Sequence, residues 1–309
     1  MQYPLVSIII PNYNHAQFLN QRIDSILHQS YTNYEIIILD DMSTDNSIDI
    51  IKQYQDNEHV SHVVINEENS GSPFKQWKKG INLAKGELIW IAESDDTCEE
   101  TLLGTLVNEF QKDEKCTVAF CKSIKIDTEN NPIGEEGLKT NVHMDGLKFI
   151  KKYLSRYNYI TNASSAIFKK EILNNADWSF TNYRGCGDWI MWIEIASAGN
   201  VAYCHVPLNY FRIHSSNTTK QQAFNGQNEI EGAKVYKFML DKNFIGYKEE
   251  LRARLSHIYS IKYGKQHTFY SNDTKKRLLK SWQSTSLINC FLWFIYIIHK
   301  ITGIQIIKR

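Results

Sequence analysis

No cysteine of this 309-residue chain stands in a CxxC pair. Cys98, Cys116, Cys121, Cys186, Cys204 and Cys290 are scattered singly, which argues against a zinc site and fits a reducing compartment. No glycine follows the first apolar run: Pro11-Asn12-Tyr13-Asn14-His15 stands where a dinucleotide-binding turn needs GxGxxG. A GxxxxGK[ST] loop is missing as well, which excludes a P-loop. A nucleotidyltransferase is disfavoured because its Gly-rich basic loop is also absent. Charge of one sign is lacking overall, at net +1, so nothing in the balance favours nucleic acid. The apolar stretch Leu5–Ile10 is too short for a signal peptide, and the expectation is a cytoplasmic protein.

The chain has 42% hydrophobic residues, enough to bury a full core. Its length suggests one large domain with an appendage. The division expected is a catalytic domain over 1–215, with a ligand-binding half at about 1–98 and a second half at about 99–215, then a helical region over 216–309. Val6–Ile10, Glu35–Leu39, Val60–Ile65 and Glu87–Ala92 read as buried strands. Between them run helical patterns: Leu19, Ile23 and Ile26 after a possible Asn14 cap, Ile48 and Ile51 after Ser43–Asp45, and a helix opened by Pro73 and stopped by Gly86. This alternation predicts an α/β fold, a mostly parallel central sheet with helices on both faces. Farther on come a helix near Leu102–Gln111, a strand near Val118–Ile126, a loop at Asp127–Gly137 and a strand at Ala163–Phe168. A helix starting near Asp188 and apolar runs at Val201–Val206 and Leu208–Ile213 follow.

The strand Glu87–Ala92 runs straight into Glu93-Ser94-Asp95-Asp96. Three carboxylates crowded at a strand end repel unless positive charge lies between them, and hard cations take oxygen ligands. Open parallel sheets bind ligands beyond the carboxyl ends of their strands. Three polar clusters fall there: Pro11-Asn12-Tyr13-Asn14, Asp40-Asp41 and Glu93–Asp96. Together they offer a ring for stacking, acceptors for a base or ribose, and carboxylates for a metal. That inventory suits a nucleoside diphosphate with its cation. A capping role for Asp40-Asp41 and a packing role for Tyr13 are the plain alternatives, and His15, His28, His59 and His62 read as structural.

Several of these motifs resemble family 2 glycosyltransferases, in order over roughly residues 4–220. Val6–Asn14, with Phe18-Leu19, Ile23, Ser25-Ile26, Gln29 and Tyr31, is similar to that family's opening. Glu35–Asp41 looks like its strand ending in two aspartates, and Glu93-Ser94-Asp95-Asp96 like its Asp-x-Asp motif. Tyr183–Ala196 resembles the segment that holds the catalytic base, and Tyr210-Phe211-Arg212-Ile213-His214 the closing strand. The resemblance implies a GT-A fold and transfer of a hexosyl or N-acetylhexosaminyl group from a nucleotide-sugar donor to a glycan or lipid-linked acceptor, in surface polysaccharide synthesis, with inversion. It implies that Asp40 accepts from the base and that Pro11, Asn12 and Tyr13 line the nucleoside pocket. Glu93 would stand at the ribose or a metal-bound water, with Ser94 and Lys78 as further nucleotide-binding candidates; the Arg-Asn usual in the family's third helix has no clear counterpart among Lys75–Lys79. Asp95 and His214 would hold Mg²⁺ or Mn²⁺, and Asp188 would be the general base. The chain departs from the pattern at Glu93, where Asp is usual, and at Gly187, where Glu is usual. A non-catalytic nucleotide-sugar-binding or scaffold protein is the other reading.

No acid follows Asp273, whereas seven Lys/Arg do: Lys275, Lys276, Arg277, Lys280, Lys300, Lys308 and Arg309. Leu287–Ile298 is nearly all apolar. A dozen such residues fall short of the roughly 20 a bilayer span needs, but basic flanks around an apolar face suit an interfacial helix. Attachment to the inner membrane face and packing on protein are both open for this tail.

Overall fold

The computed structural model describes residues 3–176, 178–215, 226–264, 270–283 and 285–302. The chain divides into two compact units, one of Met1–Phe149 with Tyr159–His214, the other of Ile150–Asn158 with Ser215–Arg309.

The first unit opens as an alternating α/β run. Its elements are β1 (Val6–Asn12), α1 (Ala16–Leu27), β2 (Tyr34–Asp40), α2 (Ser47–Tyr54), β3 (Val60–Ile65), α3 (Pro73–Leu83) and β4 (Leu88–Ile91). There follow β5 (Thr97–Cys98), α4 (Leu102–Lys112), β6 (Cys116–Ile126), β7 (Pro132–Glu136), β8 (Val142–Asp145), α5 (Gly146–Phe149), β9 (Ala166–Lys169), α6 (Gly187–Ser197) and β10 (Asn200–Arg212). The sheet order is β3-β2-β1-β4-β9-β6-β10-β5, with β7 beside β6 and β8 beside β10. Pairing is parallel through β3-β2-β1-β4 and again between β6 and β10, while β9 joins these parts antiparallel.

Every residue of β1 and β2 is buried, as expected of parallel strands covered on both faces. Alternation assigns the two faces. Ile8, Ile10, Ile36, Ile38 and Trp90 join α1, α2 and α4 in one core. Ile9 points the other way, against Gly80 of α3, where an added Cβ would lie 2.4 Å from its Cγ2. On that face too, Trp192 of α6 packs edge-on against Phe168 of β9.

Some local expectations change. Asn14 does not cap α1; it adopts φ 56° and its side chain accepts from Thr44 N instead. Asp45 caps both helices, accepting from Ala16 N and Ser47 N. The expected loop Asp127–Gly137 contains β7, folded back on β6 through a turn with Asn130 at φ 69°. The two apolar runs around Pro207 form one strand, β10, whose register slips on both sides of that proline, a residue without an N–H for the ladder.

The second unit holds α7 (Gln227–Asp241), α8 (Tyr247–Tyr263), α9 (Asn272–Ser281) and α10 (Ser286–Thr302). Trp282 after α9 stacks on His257 of α8 at 4.1 Å and packs on Tyr236 of α7. Among the described residues no helix is long and apolar enough to cross a membrane. The tail's last residues, including Lys308 and Arg309, lie outside the described residues.

Candidate active site

Parallel register puts the first two predicted clusters side by side. Asn12 pairs with Asp40 at the ends of β1 and β2, so the Asn12 amide donates to Asp40 Oδ2 at 2.7 Å and to Ser43 Oγ at 3.2 Å. Asp40 also accepts from Ser43 N and Ser43 Oγ and has no exposed surface. It is therefore enclosed, and its hydrogen bonds fix Asn12 and Ser43. Asp41 accepts from Asn66, Ser70 and Gln76, fixing the loop between β3 and α3. Pro11 and Asn12 are buried, whereas the Tyr13 side chain is 47% exposed. An open aromatic ring at a strand end is what stacking on a base requires.

The third cluster follows β4 and meets the end of β10. The Glu93 carboxyl accepts from Trp77 Nε1 of α3 at 2.9 Å. Asp95 Oδ2 lies 2.8 Å from His214 Nε2, a pair 119 positions apart in sequence. Asp96 accepts from Asn162 Nδ2, Ser164 Oγ and Arg212 N. It thereby ties the motif to the turn before β9 and to β10. Ser94 Oγ lies 2.8 Å from His15 Nδ1.

Repulsion among the three acids is relieved largely by the protein itself. Burial, with the Asp95 and Asp96 charges, pushes Glu93 up to about 8, so it is mostly neutral at pH 7. Burial and Asp95 raise Asp96 as well. For Asp95, burial alone would raise the pKa. The His214 hydrogen bond and the His15 and His214 charges outweigh it and hold the carboxyl below its usual value. Arg22, wholly buried over the Trp90 ring at 5.0 Å, supplies fixed positive charge that acts on Glu93 and Asp96. Arg212 donates from Nε to Asp95 O. The sequence argument for a cation from repulsion alone is weakened accordingly. The argument from donor chemistry is stronger, because potential ligand atoms of His15, Asp95 and His214 all lie within 4.8 Å of one another. Two imidazoles and a carboxylate fit a divalent metal. Burial lowers the His15 pKa more than the Asp95 charge raises it, which favours the neutral, ligand-competent ring.

Asp188 lies in the first turn of α6, and its Oδ1 accepts from Trp189 N. Gly187 is explained by packing: a Cβ there would lie 2.5 Å from Phe180 O and 2.6 Å from Phe74 of α3. One turn farther along α3 stands Trp77, the partner of Glu93. A single face of α3 thus touches both the start of α6 and the acidic motif. Lys78 holds its ammonium over the Trp178 ring at 5.1 Å, while Lys75 and Lys79 brace the loop before α3 at Ser70 O and Asn66.

The structure therefore gathers Asn12, Tyr13, Asp40, Glu93, Ser94, Asp95 and His214 at the carboxyl edge of the sheet. His15 belongs with them and was read as structural from sequence. Its position, directly after the first polar strand end, was the available signal.

This α/β architecture, with its mostly parallel central sheet, is that of a GT-A fold, as the solved structures it matches show. The chain matches the model of glycosyl transferase family 2 over residues 7–175 and belongs to that family. It is 28% identical over 202 residues to the putative teichuronic acid biosynthesis glycosyltransferase TuaG of Bacillus subtilis, covering 65% of this chain and 75% of that protein. The crystal structure of S. aureus TarS 1-349 in complex with UDP-GlcNAc superposes with a TM-score of 0.69 at 15% identity, over 89% of this chain and 79% of that one. The mannosyltransferase PcManGT from Pyrobaculum calidifontis, in complex with GDP-Man and Mn²⁺, gives a TM-score of 0.59 at 14% identity, over 98% and 82%.

Proposed function

We propose that this glycosyltransferase moves a hexose or N-acetylhexosamine from a UDP-sugar to a hydroxyl of a glycan or lipid-linked acceptor, with inversion, in the synthesis of a cell-surface polysaccharide. The observation that carries the reading is the convergence of Asp95 and His214 beside the Asn12–Asp40 pair at one sheet edge. The teichuronic acid role in the name of TuaG and the UDP-GlcNAc bound to TarS support the acceptor and donor classes.

In this reading Tyr13 stacks on the base, and Asn12, its amide hydrogens taken by Asp40 and Ser43, leaves its Oδ1 to accept from it. Glu93 and Ser94 face the ribose side, and Lys78 lies toward the diphosphate. Asp95 and His214 hold the divalent ion, Mg²⁺ or Mn²⁺, which supplies Lewis acidity for a leaving diphosphate. The Asp188 carboxylate takes the proton from the acceptor hydroxyl as its oxygen bonds to the anomeric carbon. The bond from that carbon to the donor phosphate oxygen breaks, and the diphosphate leaves with the electron pair. Attack opposite the leaving group inverts the centre. The tail of the second unit adds contact with a membrane surface.

Thermal shift with UDP plus Mn²⁺, then hydrolysis and transfer across a panel of sugar nucleotides, tests the function. Stabilisation by UDP with turnover of at least one donor is expected; binding without turnover of any donor would favour a scaffold and overturn the proposal. Asp188→Asn should lower turnover about 10²–10⁴-fold, the usual contribution of a positioned base, with UDP affinity little changed. Near-normal turnover in that variant removes Asp188 from the role.

A further inference from the structure

We infer that His15 is a third protein ligand of the metal site, giving this enzyme a two-histidine, one-carboxylate centre that prefers Mn²⁺ to Mg²⁺. The inference rests on the proposed metal-assisted transfer and deepens it. Each member comes from a different strand end: His15 after β1, Asp95 after β4, His214 after β10. Their donor atoms lie within 4.8 Å of one another, a separation that small side-chain rotations close around one ion.

His15 has no competing duty. It occupies the N-cap position of α1, yet its side chain makes no cap hydrogen bond; Asp45 serves Ala16 N instead. Ser94 Oγ lies at Nδ1, the kind of outer contact that fixes the tautomer of a ligating histidine. In the tautomer whose Nδ1–H donates to Ser94 Oγ, Nε2 keeps its lone pair for the ion. Phe18 packs against the His214 ring at 5.3 Å and near the His15 ring at 6.3 Å, and the His15 and His214 rings meet edge to face at 5.4 Å. One aromatic wall therefore orients both imidazoles. The burial of Asp95 and His214 leaves little room for the full water shell that Mg²⁺ retains. Imidazole nitrogen suits later, softer divalent ions, whereas Mg²⁺ prefers oxygen.

The test reads the metal directly. Electron spin-echo envelope modulation of the Mn²⁺-loaded wild-type enzyme, with and without UDP, should show two coupled imidazole nitrogens. His15→Gln should leave one and weaken Mn²⁺ binding at least about tenfold, the scale of loss on disturbing a metal site. It should also narrow the preference over Mg²⁺ in competition titrations. A single imidazole in the wild type, lost in His214→Gln and kept in His15→Gln, overturns the inference and leaves Asp95 and His214 as the site. The wild-type spectrum stands whether or not a variant folds. Absence of any bound Mn²⁺, with transfer unaffected by a chelator, overturns this inference together with the metal part of the proposed function.

Discussion

Arg212 determines how the acidic motif is held. Wholly buried at the end of β10, it donates to Asp95 O, Asp127 O, Gln21 Oε1 and Asn130 Oδ1, and it lies over the Phe18 ring at 4.6 Å. One planar fork thus joins α1, the motif after β4 and the β6–β7 turn. Lysine carries the same charge but not the fork. Arg212→Lys should therefore cost about 2–4 kcal/mol, since several buried acceptors lose their partners, and an unfolding free energy from urea titration within about 1 kcal/mol of wild type would refute this account. The same residue marks what could be read beforehand. Tyr210–His214 is recognisable as a motif in the sequence, and the structure brings its histidine within 2.8 Å of Asp95. The partners of Arg212 were not legible, because they come from segments 82 to 191 positions away. His15 is missed for a related reason: its place after the first polar strand end is a weak local signal, and the three-dimensional meeting of β1, β4 and β10 is what makes it decisive.

At the scale of elements, the start of α6 shows how packing overrides a family habit. Phe74 and Phe180 close over Gly187 so tightly that no side chain fits. Gly187→Ala would force a Cβ against the Phe180 carbonyl. A loss of about 1–3 kcal/mol, the usual cost of overpacking, is expected, together with a displaced Asp188 and lower turnover. Gly187→Glu, which restores the residue usual in the family, should be worse than alanine; a variant with full stability and activity would show that the site relaxes freely. The four strands of the first half were legible within one or two residues, because each is a short apolar run bounded by polar turns. Beyond β5 the legibility falls. Hairpin β7 lacks an apolar pattern, with most of Pro132–Glu136 exposed, so it looked like loop. Residues 150–158 group with the second unit, a long-range association to which periodicity is blind.

At the scale of the whole chain, the described residues of α10 divide the apolar tail into a packed face and an exposed one. Leu292 and Ile295 are buried, and Tyr296 stacks on Tyr263 of α8 at 4.4 Å. Packing on protein, one of the two fates open from sequence, therefore accounts for one face. Leu287, Cys290, Phe291 and Phe294 recur at helical spacing on another and are exposed, the three large ones at 84%, 52% and 61%. Water is a poor environment for such a stripe, and Trp293, 58% exposed, flanks it. The stretch after Asp273 carries seven Lys/Arg and no acid, which favours the proposed contact with an anionic lipid surface. Each large side chain transferred from water contributes about 1.5 kcal/mol or more. Phe291→Ser with Phe294→Ser should then weaken binding to vesicles containing anionic lipid by roughly a hundredfold, at about 1.4 kcal/mol per decade. Raising salt should weaken it further by screening the lysines. Both substitutions fall at exposed positions, so the fold should stand, and donor hydrolysis in solution should be unchanged. Truncation after Ser286 should abolish sedimentation with the vesicles. If the double variant and the truncated chain both sediment as the wild type does, α10 is not the membrane contact.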